Sequence, residues 1–355
     1  MLKIDTDFCG GNAVIEACGE DFVHFRPDQR DSESEWFYWA FRVTGAAGRT
    51  IRFSMAPRSY VGYFGAAYSH DLEHWRWSGG VSADRTGFTY TFAPGENAVF
   101  FAHHMLYPPF RFIRFAELHG LRVRTLCEDT RGTPIPYTVI GSGSRNILVC
   151  ARHHCCESTG NSVMEGIMEE FLAAPIPDCR LTVIPFVDAD GTVAGDQGKN
   201  RRPHDHNRDY LNPIYPGVRA IRDIAQRGDL LAAFDLHAPW HLSGRNDTLF
   251  CVSKLPEQRA RLARFSRLFE EAITPDAASY HASDNIPLGV EWNQDGPHCT
   301  CATFCGDCGA TLAFTLESAY FGREDGIPIT QERLTESGRC FLRAFARLLR
   351  ESDTE

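Results

Sequence analysis

Residues 146–173, NILVCARHHCCESTGNSVMEGIMEEFLA, carry two periodicities in succession. Asn146 to Arg152 is a short apolar run, the pattern of a strand buried on both faces. From Thr159 to Ala173 the side chains of Met164, Ile167, Met168, Phe171 and Leu172 recur at helical spacing, which predicts a helix with one buried face. Between the two lie His153, His154, Cys155, Cys156 and Glu157. A buried strand that delivers metal-competent side chains at its carboxyl end and then turns into a helix is a unit of α/β sheet. In open α/β sheets, sites form at the carboxyl ends of strands.

Working outward, similar elements recur. LTVIPFV (181–187), LLAAFDL (230–236), LFCVS (249–253) and TLAFTLE (311–317) read as strands. Residues 110–122, 256–273 and 329–350 read as helices, and Gly132 to Pro136 as a break. Alternation of this kind predicts an α/β domain with a mixed, largely parallel sheet flanked by helices. Before Tyr107-Pro108-Pro109 the pattern differs. WFYWAFRV (36–43), TIRFSMA (50–56) and TGFTYTFA (86–93) are rich in aromatic and β-branched residues and are punctuated by Gly, Asp and Pro. That predicts an N-terminal antiparallel β-sandwich. The expected layout is a β-sandwich domain over 1–102 and an α/β domain over 103–355.

The chain has 355 residues, 43% hydrophobic and 23% charged, which is ordinary globular usage. No apolar run approaches the roughly 20 residues of a membrane span. The net charge of -10 disfavours nucleic acid and anionic membrane as partners. MLKIDTDFCGGN lacks the charged-then-apolar pattern of a secretory leader. Thirteen cysteines cannot all pair within one chain, so free thiols in a reducing cytoplasm, or a metal site, are expected.

Three strands end in residues suited to metal chemistry: one leads to His154 and Glu157, one to His237, one to Glu317. His154 and Glu157, three apart, can face one ion. With His237 they form the two-histidine, one-carboxylate set of a hydrolytic zinc, which leaves a coordination position open to water. Glu317 is then a free carboxylate, available as general base. H-x-x-E alone is a weak signal: His70, Glu73 and His74 repeat it in YSHDLEHWRWSGG, which reads as a solvated turn. The loop 188–210 carries Lys199, Arg201, Arg202 and Arg208, with Asn207 beside the last. An Asn-Arg pair suits a substrate carboxylate, since guanidinium grips carboxylate through two hydrogen bonds. Cys299, Cys301, Cys305 and Cys308 could hold a structural zinc but read better as small residues lining a pocket. Cys155 and Cys156 read as packing residues.

The ordered set H-x-x-E (154–157), D-G (190–191), D-x-N-R (205–208), D-L-H (235–237) and T-L-E-S (315–318) resembles the zinc metallocarboxypeptidases, in particular their cytosolic carboxypeptidase-like branch. FYWAFRV and YSHDLEHWRW are similar to the β-sandwich that precedes the catalytic domain in that branch. The resemblance implies one catalytic Zn2+ on His154, Glu157 and His237, with Glu317 as general base. It implies that Asn207 and Arg208 hold the terminal carboxylate, and that Asp205 orients the first zinc histidine, a role for which Asp235 is a rival. Gly198 stands where the family has its oxyanion arginine, which leaves Arg201 or Arg202, or a realigned loop. Tyr280 is the one tyrosine between His237 and Glu317 and so the candidate for the family's mobile active-site tyrosine. The implied activity is hydrolysis of the C-terminal peptide or isopeptide bond of a peptide or protein in the cytoplasm, and the basic loop favours release of acidic residues such as glutamate. A zinc amidase or deacylase of N-acyl amino acids or peptidoglycan peptides, and a non-catalytic binding module on the same fold, remain open.

Overall fold

The computed structural model describes residues 2–55, 58–296 and 299–352. Ala56, at the end of the strand expected over 50–56, lies outside them. Nine strands come first: β1 (Lys3–Asp5), β2 (Val14–Cys18), β3 (Phe22–Arg26), β4 (Ala40–Thr44), β5 (Thr50–Met55), β6 (Ala67–Ser69), β7 (Arg76–Trp77), β8 (Gly87–Thr91) and β9 (Ala98–Ala102). They form two sheets, ordered β1-β4-β9-β6-β7 and β2-β3-β5-β8. All their pairings are antiparallel except β3 with β5. Alternation puts Val23 and Phe25, Phe41 and Val43, Ile51 and Phe53, and Val99 and Phe101 on inner faces, where they share one buried cluster with Trp39 and Phe88. The run expected as a strand from Trp36 enters the sheet only at Ala40, so Trp36 to Tyr38 are free to turn toward the rest of the molecule.

After α1 (Pro109–Leu118) come β10 (Arg124–Glu128), β11 (Pro134–Ile140), β12 (Arg145–Ala151), α2 (Thr159–Ala173), β13 (Cys179–Ile184), α3 (Ala189–Ala194), α4 (Pro216–Ala225) and β14 (Leu230–His237). They are followed by β15 (Phe250–Ser253), α5 (Arg259–Ala272), β16 (Ile286–Pro287), α6 (Cys301–Asp307), β17 (Leu312–Glu317) and α7 (Gln331–Ser352). One eight-stranded mixed sheet runs β10-β11-β13-β12-β14-β17-β15-β16. Its centre, β13-β12-β14-β17, is parallel and nearly wholly buried, as continuous apolar strands require. The expected break at Gly132–Pro136 is corrected: Pro134 and Pro136 belong to β11. They sit where β11 pairs with β10 alone, β13 joining only from Thr138, so a missing N–H is tolerated. The core is continuous across residue 102, for Tyr38, Ala40 and Trp75 join the buried set that includes Ile147 and Phe234.

Two features tighten this frame. Helices α2 and α7 approach so closely that a Cβ on Gly166 would overlap the Thr335 carbonyl, and one on Gly338 the Val163 carbonyl. Behind the loop that follows β12, three buried histidines form a chain. His103 Nδ1 lies 2.8 Å from His104 Nδ1, His103 Nε2 2.9 Å from His241 Nδ1, and His104 Nε2 2.9 Å from the Cys156 carbonyl oxygen. One set of neutral tautomers satisfies all three contacts: His104 donates to Cys156, His103 to His104, and His241 to His103. Burial pulls His104 and His241 down to about 3, and His103 well below its ordinary value.

Gly166→Ala should destabilise the protein by about 1–3 kcal/mol in denaturant titrations, despite alanine's better helix propensity, because overpacking outweighs it. The histidine chain sets an acid limit. An unfolded chain takes up protons at these residues below about pH 6.5 whereas the native chain does not, so stability should fall as pH drops from about 6.5 toward 3. Urea midpoints across that range should show the slope, and His241→Asn should flatten it by about 1.4 kcal/mol per pH unit.

Candidate active site

The parallel register aligns three strand ends. Ala151 of β12 pairs with Leu236 of β14, and His237 of β14 with Glu317 of β17. The chain leaves β12 through Arg152, whose φ of 66 turns it sharply, and His154 to Glu157 fold back over the end of β14. His154 Nδ1 lies 2.9 Å from Glu157 Oε1, His237 Nδ1 lies 2.7 Å from Glu157 Oε2, and the two Nδ1 atoms are 3.0 Å apart. All three side chains are buried.

These donor atoms could hold one metal ion. Tetrahedral Zn2+ with bonds of about 2.0–2.2 Å needs donors about 3.3 Å apart, so the three side chains would spread by about 0.3–0.6 Å to admit it. The far side of each ring meets a carboxylate. His237 Nε2 is 2.9 Å from Asp235 Oδ2, and His154 Nε2 is 3.5 Å from Asp205 Oδ1. Asp205 and Asp235 are therefore not rivals: each faces a different histidine. Asp235 also binds His153 Nδ1 at 2.7 Å, and His153 Nε2 reaches the Tyr210 hydroxyl at 2.7 Å. Burial works against the charge on Asp235, but His153 and His237 outweigh it and hold the carboxyl below the usual range. Such outer contacts fix tautomers and point both Nδ1 atoms inward.

Glu317 faces the same space with Oε2 buried and unpartnered. Burial pushes its carboxyl up to about 7, against the pull of His237 and with the push of Glu157. A cavity of about 160 Å³ opens here, lined by His154, His237, Glu317, Asn207, Arg208 and Lys199. Asn207 is held by Oδ1, which accepts from the Cys301 N–H at 3.0 Å, with Nδ2 3.2 Å from His237 Nε2. Arg208 is partly exposed, 3.9 Å from Asp205. A free carboxylate oxygen, an anchored amide and an open guanidinium around a metal-competent triad are the parts needed to hydrolyse a bond beside a carboxylate.

The structure removes three expected site residues from this cavity. Arg201 is bound to Asp188 at 2.7 Å and Asp31 at 2.9 Å on the opposite side of its loop. Arg202 is 86% exposed and pairs with Glu33. Tyr280 lies in the core, its ring tilted against Phe269 with 4.3 Å between centres, its hydroxyl on Asn285 and Cys251. In their place stand Lys199, named among the loop's cations but given no role, and two residues that pattern reading passed over. Lys199 Nζ lies 3.6 Å from Glu157 Oε1 and 5.3 Å from the centre of the Trp36 ring. Lys254 and Trp292 also line the cavity. Lys199 directly follows Gly198, so a one-residue shift was the available signal; Lys254 and Trp292 had none. Trp36 and Trp240, in edge contact at 4.8 Å, wall a second cavity that shares Lys199, Arg208, Trp292 and Glu317 with the first.

The other candidates resolve simply. His70 meets Glu96, His74 meets Asp71, and Glu73 meets Arg114, so the second H-x-x-E-H converges on nothing. Cys301 and Cys305 turn into the core on α6. No cysteine belongs to a group able to hold a metal among the described residues, whereas Thr300 and Ala302 line the cavity.

No protein-family model matches the chain. An uncharacterized protein of Zymomonas mobilis is 25% identical over 259 residues, 66% of this chain and 67% of that one. Cytosolic carboxypeptidase 2 of Danio rerio is 24% identical over 245 residues, 62% of this chain but 33% of that protein. The chain thus spans about a third of that relative. Among solved structures, a metallo-carboxypeptidase from Burkholderia cenocepacia superposes with a TM-score of 0.81 at 20% identity, covering 99% of this chain and 100% of that one. The chain has the metallo-carboxypeptidase fold, in agreement with the resemblance read from its motifs.

Asp235→Asn keeps the shape but removes the charge behind His237. Chelator competition should show zinc affinity reduced about 10–100-fold.

Proposed function

We propose that this protein is a zinc-dependent metallocarboxypeptidase that removes the C-terminal residue of a peptide or protein, with preference for acidic residues such as glutamate. The observation that carries this reading is the single cavity in which His154, Glu157 and His237 converge beside the unpartnered Glu317 Oε2, with Asn207 and Arg208 at its wall. One zinc ion on that triad would polarise the scissile carbonyl and lower the pKa of an attacking water.

The chain's own residues do the rest. Arg208 grips the substrate's terminal carboxylate through paired N–H groups, and Asn207 adds a third donor. That geometry admits only a bond next to a free carboxylate. Glu317 takes the proton of the attacking water at Oε2 and passes it to the leaving amine. Lys199, beside Glu157, is the cation that meets the charge developing on the carbonyl oxygen, the role expected of Arg201 or Arg202. Lys254, whose ammonium donates to the Gln294 carbonyl at 2.6 Å, supplies a positive end to the pocket and supports the acidic preference. The thirteen free cysteines suit a reducing compartment, so a cytoplasmic location is part of the proposal. Among the described residues no helix is long and apolar enough to cross a membrane.

Zinc-loaded protein should cleave peptides ending in Glu faster than those ending in Lys or Phe. Glu317→Gln should retain zinc and lose about 10²–10⁴ in kcat. Lys199→Met should lose about 10²–10³ in kcat with little change in KM. Lys254→Glu should reverse the order of Glu and Lys peptides. Absence of cleavage of all three peptides by the zinc-loaded wild type would refute the assignment.

A further inference from the structure

On the far side of the loop that carries Lys199 lies a second cavity of opposite character. Its walls hold Asp31, Glu33, Asp129, Asp188, Asp190 and Asp196, opposed by Arg30, Arg131, Arg201 and Arg202. Six carboxylates against four guanidiniums leave an excess of two negative charges. The arginines are unevenly shared. Arg201 binds Asp188 and Asp31; Arg30 and Arg131 bind Asp196, and Arg131 also approaches Asp190. Asp129 is left with the backbone N–H groups of Thr130 and Asp190 and, among the described residues, with no cationic partner.

Into this group points His206. It is 2% exposed, stacked on Tyr215 at 3.7 Å between ring centres, and both of its ring nitrogens lack a hydrogen-bond partner. A buried imidazole with no partner on either nitrogen is an unmet polar demand. Its Nδ1 lies 3.8 Å from Asp188 Oδ2, and the donor atoms of Asp129, Asp188 and His206 lie within 4.8 Å of one another.

We infer that Asp129, Asp188 and His206 form a second cation site, distinct from the His154-Glu157-His237 triad, that takes a divalent transition metal such as Zn2+ or Mn2+. The donor set favours that class, since one imidazole nitrogen with two carboxylate oxygens suits these ions better than the all-oxygen ligation of Ca2+ or Mg2+. Two positive charges match the local excess. Asp188 Oδ2 serves the ion while still accepting from Arg201; closing the His206–Asp188 spacing takes about half an ångström, and drawing in Asp129 takes up to about 1.5 Å. The site is structural. Asp188 and His206 bracket the loop that presents Lys199 and Asp205, and His206 immediately precedes Asn207 and Arg208; Asp129 anchors both to the turn between β10 and β11. The ion ties the loop at its two ends.

The test is Zn2+ titration of metal-stripped protein, with stoichiometry from dye competition and thermal shift after each equivalent. Wild type should bind two equivalents, and His154→Ala, Asp129→Asn and His206→Leu one each. In the His154→Ala background the remaining equivalent should raise Tm, and adding Asp129→Asn should abolish both binding and shift. Asp129→Asn is isosteric, so circular dichroism can verify that it folds if His206→Leu does not. Wild-type stoichiometry in Asp129→Asn, or a single equivalent in wild type that vanishes with His154→Ala, overturns the second site and leaves the triad standing. Loss in Asp129→Asn with none in His154→Ala supports the second site and removes the triad.

Discussion

The register between β12, β14 and β17 is the constraint on which everything else depends. Parallel pairing brings the carboxyl ends of three strands to one edge, and the pairing of His237 with Glu317 fixes an imidazole beside a carboxylate. A slip of one residue in β14 would turn His237 and Asp235 to the opposite face, and one in β17 would do the same to Glu317. The buried faces forbid that slip, because every residue of β14 is covered by helices or neighbouring strands. The apolar core thus acts as the jig that sets distances among polar atoms at its rim.

Much of this was legible in the sequence. The apolar strands ended in polar residues, and that contrast survives any error of one or two residues in boundaries. His154, Glu157, His237 and Glu317 could be gathered into one site because each follows such a strand. Helix α2 was readable from its stripe of Met164, Ile167, Met168 and Phe171. Helix α6 was not, since Cys301 to Asp307 was weighed as a zinc cluster or a pocket lining and not for helical spacing; nor were β10 and β11, where two prolines masked an edge pairing. The arginines were misjudged for a different reason. Which cation of the loop faces the triad is decided by Asp31 and Asp188, carboxylates that draw Arg201 away, and no local spacing reveals them. Tyr280 was misjudged because a tyrosine between two motifs looks alike whether it lines a cleft or packs on Phe269.

The loop from Asp188 to Arg208 has two electrostatic faces. One offers Lys199 and Arg208 to the active-site cavity; the other commits Arg201 and His206 to a nest of carboxylates. A net charge of -10 conceals both. The N-terminal segment contributes to the first face, because Trp36, just ahead of β4, meets Lys199 and Trp240.

The strand order has a consequence for how the protein comes into being. β14 lies between β12 and β17 in the sheet, and the chain makes the three in that same order. His154 and Glu157 leave the ribosome with only each other for company, while His237 follows more than eighty residues after His154 and Glu317 eighty after that. A nascent chain therefore carries only that pair until His237 emerges, and the site is complete only when the last central strand docks. Topology alone thus postpones the assembly of the site until the last of these three strands is in place.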